Sequence, residues 1–262
     1  MLMHGDMISE FVNLYGEWCE GEIELFNQII PKNGVVIEIG SNIGMHSIPI
    51  SRICNEGKLF CFEPQRIVFQ ILCGNIALNN ITNIHAFQEA VGDTEEFIDI
   101  QSSEYEKSWN YGSFSIEKGF NTEGKYPDTI KLEQLKVISL NNFTDRMKIE
   151  RLDLIKIDGE GYESKILSAS NNIIKQFKPF IFIENNSKEN FEKVIEEIRK
   201  LNYLPFWYCS ARYRKNNFNN AFWKIDGFDI NMFCYHSDKK ISHQYVPVDS
   251  FDDLSSKKIP IY

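Results

Sequence analysis

No two cysteines stand at C-x-x-C spacing, and most of the six present (Cys19, Cys54, Cys61, Cys73, Cys209 and Cys234) sit inside apolar runs such as LFCF and MFCY. A metal knuckle or redox dithiol of that kind is therefore excluded, and the thiols read as small buried hydrophobes of a reducing compartment. Long apolar runs are also missing: none approaches the roughly 18 residues that span a bilayer. The opening residues, MLMHGDMISEF, carry no basic-then-apolar leader, so a cytoplasmic location is expected. Positive charge is scarce, with 28 Lys and Arg against 37 Asp and Glu and a net charge of −9. Binding to a phosphate backbone rests on cationic side chains, so no nucleic-acid partner is expected.

What is present is alternation. Apolar positions from Gly16 to Ile30 fit an amphipathic helix that Pro31 and Gly34 end, within an N-terminal helical segment over 1–31. Val35 to Gly40 is a β-branched run typical of a buried parallel strand. A glycine turn follows, then helix from Met45 to about Cys54, strand from Lys58 to Pro64, helix from Arg66 to Leu78 and a third strand within Asn83 to Val91. This βαβ series implies a parallel sheet with right-handed crossovers. Residues 95–134 break the rhythm and read as an insertion beside the substrate site, holding a hairpin and an ordered loop. Strands at Asp153 to Asp158 and Pro179 to Asn185 resume the pattern, with one or two helices over Tyr162 to Phe177 and another over Lys188 to Leu201. Tyr203 to Cys209 and Asn231 to Tyr235 suggest an antiparallel edge around the polar-aromatic stretch Arg212 to Asp229. A single domain over 1–262 is the simplest organisation.

The candidate site starts at Glu38-Ile39-Gly40-Ser41-Asn42-Ile43-Gly44, between strand and helix. Gly40 and Gly44 allow tight turning and close approach of a ligand, and the helix start presents free N–H groups. Alone, such a turn is as readily structural as ligand-binding. Glu63 ends the next strand, where a carboxylate accepts hydrogen bonds from ribose hydroxyls, although a solvated acid at a strand end is the plainer reading. Together they point to an adenosine-type cofactor. The spacing is not the G-x-G-x-x-G of a dinucleotide fold, no Walker pattern occurs, and the turn holds no Lys or Arg. Glu38 and Glu63 thus favour a ligand bearing an ammonium and a sulfonium over a pyrophosphate. In LIKIDGEGYE, Lys156 and Asp158 share one strand face; a lysine there needs partners, and Asp158, Glu160, Glu163 and Glu184 are candidates. A structural Lys–carboxylate network and a catalytic cluster both remain open. His46, a single histidine, reads as a first-turn helix residue rather than a base.

The stretches VIEIGSNIGMHS, CFEPQ, AVGD, DLIKIDGEGYESKIL and PFIFIEN together resemble the FkbM-type class I methyltransferases. The resemblance implies an α/β, Rossmann-like fold with a seven-stranded, mostly parallel sheet, helices on both faces and an antiparallel edge. It implies S-adenosylmethionine as cofactor, with Glu38, Gly40, Ser41, Asn42 and Gly44 in the cofactor loop, Glu63 and Pro64 at the ribose, Asp93 near the adenine and Asp158 beside the methionyl part. Ser41 stands where alanine is usual, and Gly159 where D-V-E-G has valine. Expected chemistry is O-methylation of a hydroxyl on a sugar, glycan or glycolipid, with Asp158, Glu160 and Glu184 as candidate bases. N-methylation or another small natural product is the alternative. Trp109, Asn110, Tyr111, Phe114, Trp207, Tyr213, Phe218 and Trp223 offer flat faces to a sugar, or simply cover the sheet edge. No metal is indicated, although Asp158, Glu160 and Glu184 suit Mg²⁺ or Ca²⁺ in ligand type. An NAD-dependent oxidoreductase is disfavoured by the missing third glycine, and a nucleic-acid methyltransferase by charge and the lack of an N-P-P-Y tetrad. A non-catalytic glycan-assembly subunit and a homo-oligomer stay open. Replacing Glu63 by Ala is expected to weaken cofactor binding without changing the melting temperature of the apo protein.

Overall fold

The computed structural model describes every residue except 102–111, 113, 116–118, 121–131, 186 and 243. In chain order the elements are α1 (Met7–Tyr15), α2 (Glu20–Ile29), β1 (Val35–Ile39), α3 (Ser47–Ile53), β2 (Lys58–Phe62), α4 (Arg66–Leu78), β3 (Ile84–Phe87), β4 (Ala90–Val91) and β5 (Glu96–Gln101). There follow β6 (Phe114–Ser115), β7 (Gly119–Phe120), β8 (Leu132–Ile138), α5 (Leu140–Arg146), β9 (Leu154–Ile157), α6 (Glu163–Ala169), α7 (Asn171–Phe177) and β10 (Phe180–Glu184). The chain ends with α8 (Lys188–Lys200), β11 (Tyr203–Ala211), β12 (Phe228–His236), β13 (Val246–Pro247) and α9 (Asp253–Ser256).

Eight strands form the main sheet in the order β13-β11-β12-β10-β9-β1-β2-β3. The expected sheet had seven; the additional strand is β13, two residues paired antiparallel to Phe206 and Trp207. The β9–β1, β1–β2, β2–β3 and β9–β10 pairs are parallel, and β10–β12 and β11–β12 are antiparallel. Period-2 alternation loads both faces. Ile37, Phe60, Phe62, Ile155 and Ile183 pack on one core with α6, α7 and α8 residues. Val36, Leu59, Cys61, Leu154 and Phe182 pack on the other, with Leu25 and Phe26 of α2, Ile50 of α3 and Leu72 of α4. Glu38 and Lys156 fall by this alternation on the second face and are register partners across β1 and β9. A carboxylate and an ammonium are thereby buried under α2 and α3.

Three expectations need correction. Residues Asn83 to Val91 are two strands: β3 pairs with β2 in the main sheet, while β4 pairs with β8 in a separate sheet ordered β4-β8-β5. The insertion does not end at Gln134, because Leu132–Ile138 is one strand, antiparallel to Glu96–Gln101. The N-terminal segment holds two helices, with Gly16 (φ 76°) ending the first. A short antiparallel β6–β7 hairpin does lie inside the insertion. Among the described residues no helix is long and apolar enough to cross a membrane. All six cysteines are free, and all but Cys73 are buried.

Candidate active site

From β1 the chain crosses to β2 on one side, while β9 flanks β1 on the other. That reversal opens a crevice at the carboxyl ends of the strands, where open α/β sheets bind ligands. Along this edge, in sheet order, stand Asp229 and Asn231 of β12, Glu184 of β10, Asp158 after β9, the Gly40–Gly44 loop after β1 and Glu63 after β2. With about 4.8 Å between strands the row extends roughly 20 Å. One cavity follows it, and its wall includes Gly40, Ser41, Asn42, Glu63, Pro64, Asp158, Glu160 and Glu184.

The loop needs its first glycine. Gly40 has φ 77°, and a Cβ there would lie 2.0 Å from the carbonyl oxygen of Asp158. The N–H groups of Gly40 and Ser41 both donate to the Phe62 carbonyl, at 2.9 and 3.0 Å. Glu63 closes the arrangement: its Oε2 accepts from the Asn42 N–H and its Oε1 from the Gln65 N–H, each at 2.9 Å. Burial pushes this carboxyl up to about 7 against the pull of those two donors. Loop and carboxylate therefore meet on one wall, as the sequence predicts. The carboxylate also holds two backbone donors, so Glu63→Ala is expected to cost the apo protein stability as well.

Three residues assigned to the cofactor stand off the cavity wall. Glu38 lies behind the loop on the α3 face, where Oε2 accepts from Ser47 Oγ and Oε1 is buried with no hydrogen-bond partner among the described residues. Gly44 serves packing, since a Cβ would lie 2.8 Å from Leu72 Cδ1. Asp93 is exposed beyond β4, and Glu89, Ala90 and Val91 form the wall there. Glu89 pairs with Lys136 at 2.7 Å.

Asp158, Glu160 and Glu184 each bring an oxygen within 4.8 Å of the others. Lys156 Nζ stands 3.4 Å from Asp158 Oδ2. Burial would discharge this lysine, but Asp158, Glu38, Glu22 and Glu184 outweigh it and hold the ammonium charged. Burial, then Asp158 and Glu163, push Glu160 up to about 9; burial, then Asp158 and Glu160, raise Glu184 well above the usual carboxylate range. The cluster is short of positive charge. Its turn is fixed by Glu163, which accepts from the Gly159 and Gly161 N–H groups at 3.0 Å. At Gly159 a Cβ would lie 3.0 Å from Ile166 Cδ1, at the far end of that side chain.

The other end of the cavity was not read from the sequence. Its wall includes Trp18, Glu22, His46, Arg212, Asp229 and Asn231. The Arg212 guanidinium pairs with Asp229, with Nε at 2.7 Å, and lies 5.3 Å from the Trp18 ring centre. Cys19 Sγ donates to Asp229 Oδ2 at 3.0 Å. Glu22 accepts from Asn231 Nδ2 at 2.9 Å and stands 3.2 Å from His46 Nε2. Burial pushes Glu22 up to about 8, while burial and then the Lys156 charge hold His46 well below its usual value. Cys19, Glu22 and Asp229 form the second group among the described residues with ligand atoms close enough for an ion. The available signal was the polar stretch between Arg212 and Asp229, which begins and ends at this wall.

The aromatic expectation is tested only in part. Trp109, Asn110 and Tyr111, and the side chain of Phe114, lie outside the described residues. Trp207 is fully buried and stacks on Phe191, Tyr213 packs on Tyr15, and Phe218 and Trp223 are exposed. Among the described residues the Trp, Phe and Tyr rings on the wall are Trp18, Phe62 and Tyr162.

The sequence was compared with known proteins. Methyltransferase sdnD of Sordaria araneosa is 25% identical over 157 residues, 53% of this chain and 61% of that protein, so the match spans about three fifths of the relative. The 2-O-methyltransferase NoeI of Sinorhizobium fredii is 23% identical over 183 residues, 68% of this chain and 74% of that protein. Among solved structures, the methyltransferase FkbM from Methylobacillus flagellatus shares the fold with a TM-score of 0.50 at 14% identity, covering 82% of this chain and 51% of that one. The methyltransferase FkbM domain matches residues 38–205, which hold the glycine loop, Glu63 and the carboxylate cluster. On that match, the chain belongs to the FkbM methyltransferase family.

Proposed function

We propose that the protein is an S-adenosylmethionine-dependent methyltransferase that O-methylates a hydroxyl of a sugar, glycan or glycolipid. One observation carries the cofactor reading: Gly40, Ser41 and Asn42 of the glycine loop, Glu63 and the Asp158–Glu160–Glu184 cluster line one cavity. The donor set fits. Glu63 presents a carboxylate at the ribose position, and the three acids supply the negative charge that an ammonium and a sulfonium need. Burial, then the neighbouring carboxylates, raises Glu160 and Glu184 above the usual carboxylate range, so their charged forms are disfavoured in the free protein. A cationic ligand lowers that cost directly. Asp158 and Glu184 are the residues to hold the methionyl end, and Pro64, Ala90 and Val91 flank the nucleoside. Bound there, S-adenosylmethionine supplies an electrophilic methyl group. The protein's part is then alignment of an acceptor at the Trp18–Arg212 end and exclusion of water, effects that reach about 7–11 kcal/mol for well-oriented reactants.

The acceptor class rests on weaker ground: a 2-O-methyltransferase among the relatives, and a wall mixing Trp18 with Arg212, Asp229 and Asn231. Incubation with methyl-labelled S-adenosylmethionine and a panel of mono-, di- and lipid-linked sugars tests it. Label in a methyl ether, with one S-adenosylhomocysteine released per transfer, is expected. Transfer to amines alone contradicts the O-methylation reading.

A further inference from the structure

We propose that the loop between β11 and β12, residues 212–227, docks the protein on a lipid bilayer bearing anionic headgroups. Docking there brings the acceptor end of the cavity to lipid-linked sugars; that second half rests on the methyl-transfer reading, and the docking itself does not. Five of the thirteen large hydrophobic residues exposed among the described residues fall within 218–228: Phe218, Phe222, Trp223, Ile225 and Phe228. The first three are 79%, 77% and 67% exposed, and the Phe222 and Trp223 rings lie 4.9 Å apart. Scattered exposed hydrophobics are ordinary, but a concentration of large rings marks a contact site.

The loop that carries these rings is tied down. Tyr15 Oη donates to the Trp223 carbonyl and accepts from the Ile225 N–H, each at 2.9 Å. Asn217 is buried; its Nδ2 donates to the Arg214 and Ala221 carbonyls and its Oδ1 accepts from the Ala221 N–H, all at 2.8 Å. The Phe218 N–H donates to Glu17 Oε2 at 2.9 Å and the Asn219 N–H to the Tyr15 carbonyl at 3.0 Å. Amides thus turn inward and rings outward, the reverse of an ordinary surface loop. A backbone fixed in advance loses little further freedom when the rings are seated. Residue type and charge name the occupant. Phe and Trp beside lysines suit the boundary between acyl chains and headgroups, where rings enter and ammonium groups stay with the headgroups. Lys215 and Lys224 are exposed. Residues 212–229 hold four cations (Arg212, Arg214, Lys215 and Lys224) against two acids (Asp226 and Asp229), in a chain of net charge −9. Beneath the loop Arg214 pairs with Glu17, Glu20 and Glu24, which offsets acids that would repel an anionic surface. Arg212 and Asp229, at the two roots of the loop, pair with each other and stand on the cavity wall. A docked loop therefore sets that wall beside the headgroups.

Co-sedimentation of the full chain with vesicles of phosphatidylcholine and phosphatidylglycerol, without cofactor or acceptor, tests the docking. The wild type is expected in the pellet, less so with phosphatidylcholine alone or in high salt. Each of Phe218→Ser, Phe222→Ser and Trp223→Ser should weaken vesicle binding roughly tenfold and leave the melting temperature unchanged, because these side chains stand in solvent. Tryptophan emission should shift to the blue on binding, and Trp223→Phe should remove that shift while binding persists. A wild type that stays in the supernatant, or a triple serine variant that still pellets, overturns the proposal. So does a dimer of the wild type that the triple variant dissolves, since the face then belongs to a second copy. Calorimetry of the same preparation with S-adenosylmethionine judges the cofactor reading separately. With a sugar that accepts methyl, the lipid-linked form in vesicles should show a KM several-fold below that of the soluble form, and the triple variant should lose this advantage. Equal KM values in the wild type overturn the acceptor half.

Discussion

The two ends of the cavity are built by different kinds of sequence. The end proposed for the cofactor is built at the carboxyl ends of the parallel strands β1, β2, β9 and β10, and its wall residues from Gly40 to Glu184 lie within the family-matched residues 38–205. It relies on backbone: Gly40 against the Asp158 carbonyl, and the Asn42 and Gln65 N–H groups on Glu63. The end proposed for the acceptor draws Trp18 and Glu22 from before those residues and Arg212, Asp229 and Asn231 from after them, with His46 from within. It relies on side-chain pairs such as Arg212–Asp229 and Glu22–Asn231. Backbone geometry fixes a shared ligand in a way that substitution cannot easily retune. Side-chain pairs are exchangeable, which suits the end proposed to select an acceptor.

The comparison breaks most visibly at Gly40. Gly40→Val should abolish measurable cofactor binding and cost about 3 kcal/mol or more from clash and positive-φ strain, seen as a large fall in melting temperature. Retained affinity would show that the loop does not hold the ligand. Next in size is Glu63→Ala, which leaves the Asn42 and Gln65 donors unpaired: about 1–3 kcal/mol of stability should be lost along with cofactor affinity. Glu63→Gln should recover much of the stability and little of the affinity.

The backbone-built end was legible for a physical reason. Strand, glycine turn and strand-end acid lie close together in the chain, and each has a local signature: β-branched runs at Val35 and Leu154, punctuation at Gly40 and Gly44, and Glu63 before a proline. The side-chain-built end was not. His46 is paired with a carboxylate on a preceding helix, and Glu22 is completed by an asparagine 209 residues away. No local pattern marks a pair made by tertiary packing. Glu38 and Asp93 failed for the complementary reason: strand alternation turned the first toward α3, and the exit of β4 left the second in solvent. Leu132–Ile138 was cut at Gln134 because its partner Glu96–Gln101 lies across the insertion.

A third, smaller effect is in pH. Glu63, Glu22 and Glu160 have folded pKa values raised to about 7, 8 and 9. A carboxyl whose folded pKa exceeds its unfolded one stabilises the fold below the unfolded value and loses that contribution as pH rises. The melting temperature of the free protein should therefore fall from about pH 5 toward pH 9, and Glu160→Gln should flatten the fall. Affinity for a cationic cofactor should run the opposite way and rise with pH as Glu160 and Glu184 ionise. Parallel trends would contradict the charge argument.

The smallest predicted effect sharpens the contrast from the acceptor side. Arg212→Ala should leave cofactor affinity unchanged and raise acceptor KM several-fold, read by steady-state kinetics on any sugar that accepts methyl. A change confined to cofactor affinity would place Arg212 at the wrong end.

Calorimetric titration of the wild type with S-adenosylmethionine and, separately, with NAD tests the central claim most directly. One site for the sulfonium, no heat from NAD, and a sulfonium affinity that collapses in Glu63→Gln are the predicted results. Saturable NAD binding with none of S-adenosylmethionine would contradict the account.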